Sequence, residues 1–73
     1  MDVRKVVGDN FLRIRRAKGL TQEQVEELSG FSQQYISDLE NGKRNPTIVS
    51  LYELAKVLGV SHVELVRPNS VNR

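Results

Sequence analysis

The 73-residue sequence predicts an all-α fold of five short helices, and three observations lead there. Apolar residues recur at three- and four-residue spacing, the period of a helix that buries one face. Glycines and small hydroxyl residues punctuate those stretches, where helices stop and start. Two-residue alternation of β-branched residues is absent, so strands are not expected.

The first helix runs from about Val3 to Lys18, with Val7, Phe11 and Ile14 on one stripe, and Gly19 stops it. Thr21 opens the second helix as an N-cap, and Gln24 three residues later completes a capping box. Val25 and Leu28 form its buried stripe, and Gly30 makes the following turn. Ser32 caps the third helix, whose core face is Ile36 and Leu39 and whose end is Gly42. Pro46 and Thr47 start the fourth, which buries Ile48, Leu51, Leu54, Ala55 and Leu58 before Gly59. Ser61 and Glu64 form another capping box on a short fifth helix, with Val63 and Leu65 (or Val66) inward, and Pro68 closes it. Residues 1–68 read as a single domain and 69–73 as a flexible polar tail.

Composition removes several function classes. The length lies near the lower limit for a core without staples. With no cysteine, disulfides, thiolate metal sites and cysteine nucleophiles are excluded. The lone histidine, His62, reads as a surface residue, and no carboxylates cluster, so neither a metal site nor a cofactor is expected. There is no catalytic constellation, and an enzyme is not expected. No apolar run approaches the roughly 20 residues of a membrane span. The N-terminus lacks a signal-peptide apolar segment, so a cytoplasmic, non-membrane protein is expected.

Net charge is +2 and the pI about 9.3. Residues 1–19 hold six basic and two acidic groups, and residues 43–73 hold five and two. Between them, residues 20–42 hold five acids and no base. Electrostatics alone does not suggest nucleic acid.

That acidic middle nevertheless carries the functional signal. Two short helices joined by a turn form a helix-turn-helix, and the second opens on adjacent amides, Gln33 and Gln34. Glutamine can bond bidentately to adenine in the major groove; the bland alternative is a solvated surface. Ser37 follows one turn later on the same face. Asp38 also faces outward, where an acid repels phosphate but can accept from cytosine N4, or can restrain a neighbouring side chain. The free amides opening the second and third helices favour phosphate.

Gly-Leu-Thr-Gln-Glu-Gln, Gly-Phe-Ser-Gln-Gln-Tyr-Ile-Ser, Leu-Glu-Asn-Gly-Lys and Asn-Pro-Thr resemble the lambda-repressor-like helix-turn-helix family. This group holds phage repressors, Cro-like proteins and Xre-type bacterial regulators, and the similarity covers roughly residues 7 to 66. The resemblance implies a compact five-helix DNA-binding domain that acts as a transcriptional regulator, a repressor, by binding double-stranded DNA at a palindromic operator as a homodimer. Its base-reading residues would be Gln33, Gln34, Ser37 and Asp38. Its DNA-backbone contacts would be Gln22, Ser32, Tyr35, Asn41, Lys43 and Arg44. Arg15 and Glu40 look like the family's structural ion pair, linking the first helix to the end of the third.

Two residues depart from the family pattern. Glu26 stands where alanine is usual beneath the third helix, and Tyr35 is bulkier than the small residue phage repressors often carry. The run from Tyr-Ile-Ser to Arg-Asn-Pro-Thr-Ile-Val-Ser-Leu also resembles restriction–modification controller proteins. An antitoxin with autoregulatory DNA binding is a further alternative, and it would add a protein partner of unknown identity.

Overall fold

Among the described residues, every helix starts at a side chain that satisfies a backbone N–H left free by helix geometry. The computed structural model describes residues 2–68. Helix α1 spans Val3–Ala17 behind Asp2, and α2 spans Gln22–Ser29 behind Thr21. Helix α3 spans Gln33–Glu40 behind Ser32, α4 spans Ile48–Leu58 behind Thr47, and α5 spans His62–Val66 behind Ser61. The capping box at Thr21 is reciprocal: Gln24 N–H donates to Thr21 Oγ1 at 3.1 Å, and Thr21 N–H donates to Gln24 Oε1 at 2.8 Å. The box expected at Ser61 differs. Ser61 Oγ accepts from the Val63 N–H, while the Glu64 carboxylate turns to Arg67 Nη2 at 3.3 Å. The tail expected to be flexible, residues 69–73, lies outside the described residues.

All five helices feed one core. Val7, Phe11 and Ile14 of α1 meet Val25 of α2, Ile36 and Leu39 of α3, Leu54, Ala55 and Leu58 of α4, and Leu65 of α5. Three expected core residues lie outside it. Leu28 is 62% exposed, at the rim of a shallow groove with Ser29, Glu53, Lys56 and Val57. An eight-residue helix buries a narrow stripe, and Val25 already fills it. Ile48 is 74% exposed, because the first turn of α4 projects past the core that Leu54 and Leu58 enter. In α5, residues two apart face opposite sides, so Leu65 points in while Val63 and Val66, three apart, share the outer side.

Two close fits position the reading unit. Gly8 lets the α1 backbone lie against the end of α3; a Cβ there would run into the Leu39 carbonyl and stand 3.1 Å from that of Glu40. Asn10, buried on α1, donates through Nδ2 to the carbonyls of Leu65 at 2.9 Å and Arg67 at 2.7 Å. It fastens the end of α5, where the last carbonyls of a helix have no donor within it. Between α2 and α3 the chain turns at Gly30, at φ +83°, a left-handed conformation that glycine adopts without a Cβ clash. Ser29 Oγ accepts the Phe31 N–H at 3.1 Å and braces that turn.

Candidate nucleic-acid interface

Helix α3 presents two unlike sides. Ile36, Leu39 and Glu40 are buried, whereas Gln33 and Gln34 are exposed at its first turn. Ser37, one turn after Gln33, is half-buried. Among the described residues neither the Gln33 amide nor Ser37 Oγ makes a hydrogen bond, so both remain available to an external partner. Ser32 Oγ caps the helix by accepting the Tyr35 N–H at 3.0 Å. At the far end Asn41 Nδ2 donates to the Ser37 carbonyl at 2.9 Å, and Lys43 N–H donates to the Asp38 carbonyl at 2.8 Å. Thus the start of the following loop, with exposed Lys43 and Arg44, is folded back against α3.

Helix α3's outer side chains form a connected set. Gln34 Nε2 donates to Asp38 Oδ1 at 3.0 Å, and Asp38 Oδ2 lies 4.0 Å from Arg44 Nε. The Arg44 guanidinium sits over the Tyr35 ring, 4.7 Å from its centroid, and Tyr35 stacks on Phe31 at 4.9 Å. Tyr35 is therefore half-buried, sandwiched between an aromatic ring and a cation. Asp38, for which base contact and restraint of a neighbouring side chain are both open readings, has its carboxylate turned toward Gln34 and Arg44.

Behind α3 a buried ion pair holds the two-helix unit to α1. Arg15 Nε and Nη2 donate to Glu40 Oε2 at 2.6 Å and Oε1 at 3.0 Å, a bidentate match. Both side chains are nearly closed off, at 10% and 6% exposure. Arg15 Nη1 also donates to the Leu20 carbonyl at 2.8 Å, and Gln22 Nε2 donates to Glu40 Oε1 at 2.9 Å. Gln22 thus spans α2 and the end of α3, and its amide oxygen makes no hydrogen bond among the described residues. No buried side-chain polar atom lacks a partner among the described residues. The acidic count of residues 20–42 overstates their repulsion, since Glu40 is neutralised by Arg15 and Asp38 faces Arg44.

The helix-turn-helix family pattern matches residues 12–65, which contain both helices, the turn and all of the buried apolar core except Val7 and Phe11. The chain belongs to the helix-turn-helix family. A Sinorhizobium fredii protein described as an uncharacterised helix-turn-helix transcriptional regulator is 72% identical over 93% of this chain and 88% of its own length. The crystal structure of the restriction–modification controller protein C.AhdI from Aeromonas hydrophila superposes with a TM-score of 0.81 at 35% identity, over 85% of this chain and 94% of that one. The controller C.Esp1396I, solved as a tetramer with its natural 35-base-pair operator, matches with a TM-score of 0.80 at 37% identity, over 89% and 86% of the two chains.

Within this helix-turn-helix unit several supporting residues escape a reading by motif. Asn10 had a signal, as a polar residue three after Val7 and four before Ile14 on an apolar stripe. Phe31, Ser29 and Gly8 had none, because their roles depend on which backbone or ring lies opposite. Glu26 is only half-buried, so its charge reaches solvent beside α3 rather than entering the core. His62 is half-buried rather than a free surface residue, its ring 4.4 Å from that of Tyr52.

Proposed function

We propose that this protein is a sequence-specific DNA-binding transcriptional regulator, a repressor, that places α3 in the major groove. The observation that carries the reading is the exposed Gln33–Gln34 pair on the first turn of a helix whose opposite side is locked in the core. Gln33, Gln34 and Ser37 present amide and hydroxyl groups toward base edges. Gln22, Ser32, Tyr35, Asn41, Lys43 and Arg44 surround them and fix the register on phosphates, which orient a protein without carrying sequence information. The N–H groups opening α2 and α3 add a favourable field for phosphate.

Dimerisation fits the apolar residues left outside the core. Ile48, Val49 and Tyr52 share one side of α4, Val63 and Val66 share the outer side of α5, and the Tyr52–His62 contact joins them. Pairing two copies through this strip would place two α3 helices on half-sites about 34 Å apart, the repeat of successive major grooves. The operator would then be palindromic, mirroring the two-fold axis of the dimer.

A narrower reading, a restriction–modification controller, is favoured by the near-full-length similarity to two solved controllers. It predicts binding to the DNA upstream of the protein's own gene. The general reading is tested on a duplex selected from a random library. Gln33→Ala with Gln34→Ala is expected to weaken binding about tenfold or more for each base-reading glutamine removed. Wild-type affinity in the double variant would refute the assignment of α3.

A further inference from the structure

The acid at position 38 stands on a surface proposed to face phosphates, where a free carboxylate opposes binding. It is not free. Asp38 Oδ1 accepts the Gln34 amide at 3.0 Å, Oδ2 faces Arg44 Nε at 4.0 Å, and the side chain is only 26% exposed. Arg44 in turn rests on the Tyr35 ring, and Tyr35 on Phe31, so a chain of contacts runs from the inter-helix turn to Gln34.

We infer that Asp38 is a positioning residue that sets the base preference of Gln34, by fixing which edge of its amide faces outward. The inference rests on the reading that α3 enters the major groove. An ionised carboxylate only accepts hydrogen bonds. Gln34 must therefore turn its nitrogen toward Asp38, because the flipped amide would set oxygen against oxygen. One Nε2–H is consumed by Asp38. The second Nε2–H and Oε1 remain side by side on the outer edge, one donor next to one acceptor.

That pairing matches adenine, which offers the N7 acceptor and the N6 donor in the major groove. Guanine offers two acceptors there, N7 and O6, so the locked amide would satisfy one and oppose the other. An unlocked glutamine would be free to flip and turn both N–H groups outward. Asp38 thus converts a flexible amide into an adenine-selective one. The spacing makes this local: Gln34 and Asp38 are four apart and share one helix face.

The test measures how each base substitution in a duplex selected by the wild-type protein changes affinity, for wild type, Gln34→Ala, Asp38→Asn, Asp38→Ala and the Gln34→Ala/Asp38→Asn double variant. Gln34→Ala should abolish the preference for adenine at one base pair per half-site, which locates its contact. Asparagine at position 38 can donate as well as accept, so it permits both amide orientations. Asp38→Asn should bind all duplexes more tightly, because a negative charge is gone. It should nevertheless lose about tenfold of the adenine-over-guanine discrimination at that base pair alone. Asp38→Ala should do the same, with thermal melting unchanged, and the double variant should lose no more discrimination than Gln34→Ala. Wild-type discrimination in both Asp38 variants, or a preferred base other than adenine at the Gln34 position, would overturn the inference while leaving the groove reading intact. An unchanged preference at every position in Gln34→Ala would overturn both.

Discussion

Glu40 is the residue on which the most interactions of the reading unit converge. Its two oxygens accept from Arg15 and Gln22, so one largely buried carboxylate ties α1, α2 and α3 together. Removing it strands a guanidinium that has been taken out of solvent, and an uncompensated buried charge is more damaging than the pair is stabilising. Glu40→Ala is expected to lose about 3–5 kcal/mol of unfolding free energy, read from urea denaturation. The type of this pair was legible from the family's motifs. The participation of Gln22 was not, because it depends on the angle at which α2 crosses α3. The same holds for Asp38, whose partners lie four residues before it and in the loop after α3. Spacing alone reveals the first of these neighbours but not whether the side chain turns toward it.

At the scale of helices, start signals were legible to the residue: Thr21, Ser32, Thr47 and Ser61 each cap the helix that follows. They are local events, settled by a side chain and an N–H two or three residues away. Helix faces were less legible where the helix is short. Leu28, Ile48 and Val63 sit at the margins of their apolar stripes, and the positions of neighbouring helices decide which side of each margin is covered. Helix α5 shows how a five-residue element is held in place. Asn10 donates to the carbonyls of Leu65 and of Arg67 just past the helix, and Leu65 supplies its core contact. Asn10→Ala is expected to lower stability by about 1–3 kcal/mol, the penalty of leaving buried carbonyls without donors. Hydrogen exchange should quicken in α5 more than in α2; equal protection in both helices would contradict this role.

For the whole molecule, the distribution of exposed apolar surface carries the functional consequence. The helix-turn-helix lies on one part of the fold, and the strip of Val49, Tyr52, Val63 and Val66 lies on α4 and α5. A charge placed in that strip should separate pairing from reading. Val63→Glu occupies an exposed position, so the monomer should keep its melting temperature. Sedimentation should show a single chain, and affinity for a palindromic duplex should fall much further than affinity for one half-site. A stable dimer in that variant would place the interface elsewhere.

Helix periods, caps, turns and the amide pair opening α3 follow from the order of residues, because each is an interaction within a turn or two of chain. The family resemblance extended that reading to a fold and a function. Which margins are buried and which acid is paired out of solvent follow from packing between helices. Those outcomes depend on contacts between distant residues, such as Arg15 with Glu40 and Asn10 with Leu65, whose geometry exists only once the core has closed.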